Sequence, residues 1–151
     1  MITIEELKIK INKNSRLIGL DLGSKRFGVS ICDEKRFVAP PFKTIDVEKL
    51  SNTIDQLKNI ISENNVQGII VGYPINMDGS EGPSSQSVKD KVDKISNEIH
   101  LPIVLWDERL STVGAFNLSS QLDVNVSKRV KNIDQNSATF ILQGALDYLT
   151  K

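Results

Sequence analysis

Three acidic positions in this chain of 151 residues could do chemistry together: Asp21, one of the adjacent pair Asp107 and Glu108, and Asp134. Asp21 interrupts the apolar run 17–23, which reads as a central strand buried on both faces. It alternates with Leu17 and Gly19, so it shares a face expected to pack under a helix, where a carboxylate needs a partner. Positions 134, 138, 141 and 145 form one helical stripe whose other members are Ala138, Ile141 and Ala145, which directs Asp134 toward the sheet. The alternative for Asp134 is an N-terminal helix cap. Strand parity does not choose between Asp107 and Glu108, and with Arg109 they also fit a surface ion pair. A carboxylate trio from different elements can hold one or two Mg²⁺ or Mn²⁺ ions, which activate water and stabilise the leaving oxygen of a phosphodiester. That is nuclease chemistry, with nucleic acid as partner.

Basic residues lie close in sequence to each acid. Lys25 and Arg26 follow Asp21, Arg109 follows Glu108, and Lys128, Arg129 and Lys131 precede Asp134, so both groups could hold phosphates. The loop 73–82 is rich in Gly, Asn and Asp and offers backbone amides and Asn76 for phosphate or base contacts. His100 reads as a surface residue, and Trp106 and Cys32 as core.

The elements that must position these groups follow from the apolar periodicity. After the strand at 17–23, a tight turn at Gly23-Ser24-Lys25 leads into an antiparallel strand at 26–32 and a third at about 37–45. Pro40 and Pro41 require that part of the third strand be an edge or a bulge. Asp46 is a plausible cap for a helix carrying Leu50, Ile54, Leu57 and Ile61. A buried strand at 66–72 follows, then a helix opening at Pro83 with Val88, Val92, Ile95 and Ile99 inward. A strand at 102–106 and a short helix from Ser111 or Thr112 to Leu118 bring the order to βββαβαβα, and after a polar basic stretch to Lys131 a last helix runs from about Asp134 to Leu149. In open α/β sheets the functional crevice lies beyond the C-terminal ends of the parallel strands, where Asp21 and the Asp107–Glu108 pair fall.

The length fits one domain, with residues 1–16 as an N-terminal extension and 17–151 as the domain proper. Nineteen basic and nineteen acidic residues balance, which excludes a broad basic surface and makes any phosphate binding local. A single cysteine excludes an internal disulfide, no apolar run approaches a membrane span, and charges interleaved through the first ten residues exclude a signal-peptide core. The expectation is a cytoplasmic protein, monomer or homodimer, that contacts no membrane.

Four ordered motifs resemble one family. They are residues 19–29 (GLDLGSKRFGV), 71–82 (VGYPINMDGSEG), 107–112 (DERLST) and the segment from Asp134 to Gly144. Together, over about 16–149, they are similar to the YqgF/RuvX family. The resemblance implies an RNase H-like fold with a mixed five-stranded sheet flanked by helices. It also implies a nuclease that matures the 5′ end of pre-16S ribosomal RNA in ribosome biogenesis, with Holliday junction resolution as an alternative. Asp21, Glu108 and Asp134 would be its catalytic, metal-holding acids, with Asp107 the substitute for Glu108. The basic run before the last Asp is thinner here than in the family pattern, diluted by Asn125, Val126, Ser127 and Asn132. Two rivals remain at this point. Asp21-Leu22-Gly23-Ser24 also resembles the first phosphate loop of the related ATPase and sugar-kinase superfamily, which would make the protein a phosphotransferase. The same fold could also serve as an inert nucleic-acid-binding module.

Overall fold

The computed structural model describes residues 1–12, 14–76, 78–108 and 126–150, and for 126–136 the helical backbone alone. Five strands, β1 (Arg16–Leu22), β2 (Arg26–Ile31), β3 (Pro41–Asp46), β4 (Val66–Tyr73) and β5 (Ile103–Asp107), form one sheet in the order β3-β2-β1-β4-β5. The first three strands are antiparallel, and β1, β4 and β5 run parallel. The helices are α1 (Ile4–Lys10), α2 (Leu50–Glu63), α3 (Pro83–Glu98) and α4 (Val126–Leu149). The expected mixed five-stranded sheet flanked by helices is present.

Both faces of the sheet are covered, which is why β1 and β4 are apolar almost throughout. Ile18, Leu20 and Leu22 of β1 pack with Ile54 and Leu57 of α2 and with Val88, Val92 and Ile95 of α3. On the other face Leu17, Ile70, Val104 and Trp106 pack with Ile141, Leu142, Ala145, Leu146 and Leu149 of α4, and with Ile4 and Leu7 of α1. A Cβ placed on Gly19 would lie 2.6 Å from Leu142 Cβ and 2.9 Å from the Ala138 carbonyl oxygen, so this glycine is what lets α4 settle onto β1.

Several boundaries differ from the sequence expectation. The third strand begins at Pro41 rather than near Phe37, and its pairing with β2 shifts between Val29 and Ser30, where the prolines remove ladder donors. Asp46 ends β3, and α2 starts at Leu50 after Lys49, with no side-chain cap. The last helix starts at Val126, eight residues before Asp134. Asp134 therefore sits in the helix interior, which removes the cap alternative, and Lys128, Arg129 and Lys131 are on the helix rather than in a loop. The expected short helix at 111–118 lies outside the described residues.

Residues 1–3 join the free edge of β5, and α1 packs beside α4 on the same face of the sheet. The Ile2 amide donates to the Ile103 carbonyl at 2.9 Å, Ile2 makes a parallel bridge with Val104, and Thr3 caps α1 by accepting from the Glu6 amide at 3.1 Å. Leu7 is fully buried, and Tyr148 of α4 donates to Glu5 at 2.6 Å.

Candidate active site

The strand register brings the acids together. Leu20 of β1 pairs with Val71 of β4, and Val71 with Leu105 of β5, so Asp21, Gly72 and Trp106 stand at one level at the C-terminal ends of the parallel strands. Leu17, Ile70 and Trp106 are on the α4 face of the sheet. By alternation Asp21 and Gly72 share that face, and Glu108, two residues past Trp106, follows it. A cleft of about 460 Å³ opens there, lined by Asp21, Leu22, Gly23, Ser24, Gly72, Pro74 and Glu108, with Pro83, Ser84, Ser87, Val88 and Lys91 of α3 as its wall.

Two glycines make room for the acids. Gly28 pairs with Asp21 across β1 and β2, and a Cβ there would lie 3.6 Å from Asp21 Cβ and 3.5 Å from Ala138 Cβ. A Cβ on Gly72 would lie 2.7 Å from Glu108 Oε1 and 2.3 Å from Ile141 Cδ1. The Glu108 carboxylate thus rests on bare main chain beside α4. Burial raises its pKa first, then the charges of Asp21 and Asp107, from the ordinary 4.5 to about 7. Asp107 does not line this cleft and faces a separate groove beside residues 1–6. Glu108, not Asp107, is the acid that shares a cleft with Asp21.

Two hard oxygen donors converging from different strands suit a divalent cation of the Mg²⁺ or Mn²⁺ type. Among the described residues the cleft supplies two carboxylates rather than three. The side chain of Asp134 lies outside the described residues; its backbone position on α4 is four residues before Ala138, which packs beside Asp21 across Gly28. The side chains of Lys128, Arg129 and Lys131, and Arg109 as a whole, also lie outside them.

Lys25 and Arg26 are exposed at the β1–β2 turn, near the cleft in sequence but not in its lining. Asn76 is exposed and occupied locally. Its Nδ2 donates to Ser80 Oγ at 3.0 Å and its amide to the Ser80 carbonyl at 2.9 Å, closing the loop on itself. Ser85 Oγ donates to the Pro74 carbonyl and ties that loop to α3.

The residues that sequence reasoning overlooked are on α3. Ser84, Ser87 and Lys91 recur at i, i+3 and i+7, a polar stripe beside the apolar one, and that spacing was the available signal. Lys91 Nζ donates to the main-chain carbonyls of Gly23 at 3.2 Å and Leu22 at 3.5 Å.

A family model described as RuvX, Holliday junction resolvase, matches residues 15–148. The chain is 67% identical over 149 residues to a protein of Pelagibacter ubique (strain HTCC1062) named "Putative pre-16S rRNA nuclease", with 99% of each chain covered. It is 44% identical over 149 residues to a protein of the same name from Chelativorans sp. (strain BNC1), covering 99% of this chain and 93% of that one. Among solved structures, T. thermophilus RuvC in complex with a Holliday junction substrate is similar with a TM-score of 0.57 at 10% identity, over 90% of this chain and 96% of that one. That likeness is one of fold, and the fold is RNase H-like.

Proposed function

The chain belongs to the RuvX, Holliday junction resolvase, family, and on that premise we propose that it is a metal-dependent nuclease whose substrate is the 5′ precursor segment of pre-16S ribosomal RNA. The observation that carries the reading is the cleft in which Asp21 and Glu108 converge at the ends of β1 and β5. The choice of substrate follows the names of the relatives that match over nearly their whole length.

In this reading Asp21, Glu108 and Asp134 hold Mg²⁺ or Mn²⁺, with Asp134 supplied from α4 by its helical spacing to Ala138. The ion, when bound, activates water and stabilises the leaving oxygen. The chain's own residues prepare the place. Gly72 leaves room for the Glu108 carboxylate, and the partly buried Glu108, its pKa raised to about 7, is half-protonated at neutral pH, so a cation binding there would displace that proton. Lys128, Arg129 and Lys131 on α4, with Lys25 and Arg26 at the turn into β2 and Arg109, next to Glu108 in sequence, hold the phosphates flanking the scissile bond. Asn76 adds a contact from the loop. Residues 17–151 form the nuclease domain and 1–16 its extension, acting in the cytoplasm as a monomer or homodimer. No helix among the described residues is long and apolar enough to cross a membrane.

The family's description favours a second substrate, the four-way DNA junction. Purified protein with Mg²⁺ or Mn²⁺ is therefore offered pre-16S RNA, generic single strands and four-way junctions, with Asp21→Asn as the control. Cleavage of the precursor at its 5′ side, absent from the control, is expected. An Asp21→Asn protein that cuts at the wild-type rate overturns the metal site, and junction cleavage without RNA cleavage overturns the substrate.

A further inference from the structure

The parallel pairing of β1 with β4 stops at Leu20↔Val71, whereas the antiparallel pairing with β2 continues through Asp21↔Gly28 and Leu22↔Phe27. The stretch carrying Asp21 is therefore held by a strand on one side only. The turn after it is tight, since a Cβ on Gly23 would lie 2.6 Å from the Arg26 carbonyl oxygen. On its open side Leu22 packs on the apolar stripe of α3, and its main chain accepts from an α3 side chain. Lys91, half-buried in the wall of the cleft, bridges the carbonyls of Leu22 and Gly23 with its ammonium.

An ammonium is suited to this place. It carries three donors and no acceptor, so it can serve two main-chain carbonyls at once, here at 3.2 and 3.5 Å, and its charge favours both carbonyl dipoles. A serine offers one donor, and a methionine none. The tie joins α3 to the residue immediately after Asp21, supplying on the β4 side what the ladder no longer supplies. It also occupies two carbonyl oxygens that face the same cleft and would otherwise compete with the carboxylates for a hard cation.

We infer that Lys91 is a positioning residue: by bridging Leu22 and Gly23 it fixes the main chain at Asp21 relative to Glu108 and so sets the geometry in which the two acids receive a metal ion. This rests on the nuclease reading of the cleft. Its test compares wild type, Lys91→Met, which keeps most of the apolar stem, and Lys91→Arg, which restores a multi-donor cation. Mn²⁺ affinity is measured by calorimetry without nucleic acid, kcat and KM on a cleaved substrate, and substrate affinity as a function of salt. Because misplacement by about 1 Å can cost on the order of 100-fold in rate, Lys91→Met is expected to lose about 10- to 100-fold in kcat. It should also bind Mn²⁺ more weakly, with KM and the salt slope unchanged, and Lys91→Arg should recover most of both losses. If Lys91→Met does not fold, Lys91→Gln, whose amide can serve one of the two carbonyls, is expected to fall between wild type and complete loss in the same measurements. Wild-type kcat and Mn²⁺ affinity in Lys91→Met overturn the inference. So does a raised KM with kcat kept and a log–log salt slope smaller by about 0.7 to 0.9, which marks a phosphate contact instead. A wild type that neither binds Mn²⁺ nor cleaves any substrate overturns the nuclease reading itself, whereas an active wild type with an indifferent Lys91→Met overturns the positioning alone.

Discussion

Replacing Glu108 by Gln should stabilise the metal-free protein, and only above mildly acid pH. In the folded chain burial, Asp21 and Asp107 raise the Glu108 pKa from 4.5 to about 7. A group whose pKa is raised on folding contributes stability that is complete below its unfolded value and lost as pH rises through its folded value. Wild type should therefore weaken relative to Glu108→Gln from about pH 4.5 and reach a constant deficit above about pH 7. At 1.36 kcal/mol per pH unit the full rise corresponds to about 3.4 kcal/mol. Solvent reaches part of this side chain and screens it, so about 2 kcal/mol is the working figure. For a domain of this length that is roughly 4–8 °C in melting temperature. The assay is thermal melting of both proteins in EDTA from pH 4.5 to 8.5. Alongside it, wild-type Mn²⁺ affinity should weaken by up to about tenfold per pH unit below 7, because binding must displace the Glu108 proton. A melting difference between the two proteins that is the same at pH 5 and pH 8 refutes the argument, since it would mean that burial and the neighbouring acids do not raise the Glu108 pKa in the folded chain.

The remaining expectations test the packing that holds the site and the surface that feeds it. Gly72→Ala, whose new Cβ meets Glu108 Oε1 at 2.7 Å and Ile141 at 2.3 Å (Cδ1) and 3.0 Å (Cγ1), should weaken Mn²⁺ binding in calorimetry and, because the fully buried Ile141 has no room to swing clear, also lower the melting temperature; unchanged Mn²⁺ affinity would count against the placement of Glu108 on Gly72. Gly19→Ala meets backbone as well, the Ala138 oxygen at 2.9 Å, and should cost about 1–3 kcal/mol in urea unfolding; a neutral result would mean that α4 does not rest on β1 so closely. Leu7→Ala, emptying the fully buried position by which α1 packs into the core, should cost about 2–5 kcal/mol in the same assay, against almost nothing if the extension merely hangs on the surface. Replacing Lys128, Arg129 and Lys131 together by Ala should reduce the salt slope of substrate binding by about 2–3, at roughly 0.7 to 0.9 per phosphate contact; an unchanged slope returns them to the solvated surface.

Much of this protein was legible in one dimension. The apolar runs of β1, β4 and β5 and the helical stripes of α2 and α3 announce a covered parallel core, because strands buried on both faces have no polar alternation and helices buried on one face do. Asp21 was conspicuous for the same reason, as a charge within such a run. Boundaries were less legible. Asp46 has the right chemistry for a cap but ends β3, where pairing with Arg26 of β2 decides its place. The start of α4 was missed although Val126, Val130 and Ile133 recur at helical spacing, since the intervening Ser, Lys, Arg and Asn read as loop. The choice between Asp107 and Glu108 could not be made from strand parity, and only the resemblance favoured Glu108. β5 is apolar on both faces, so alternation says which residues share a face but not which helix covers it; that is settled only when Trp106 is seen to pack under α4. Lys91 was equally hidden, because its partner Gly23 is 68 residues away and is recognised through a main-chain carbonyl, a group every residue carries and no sequence pattern marks.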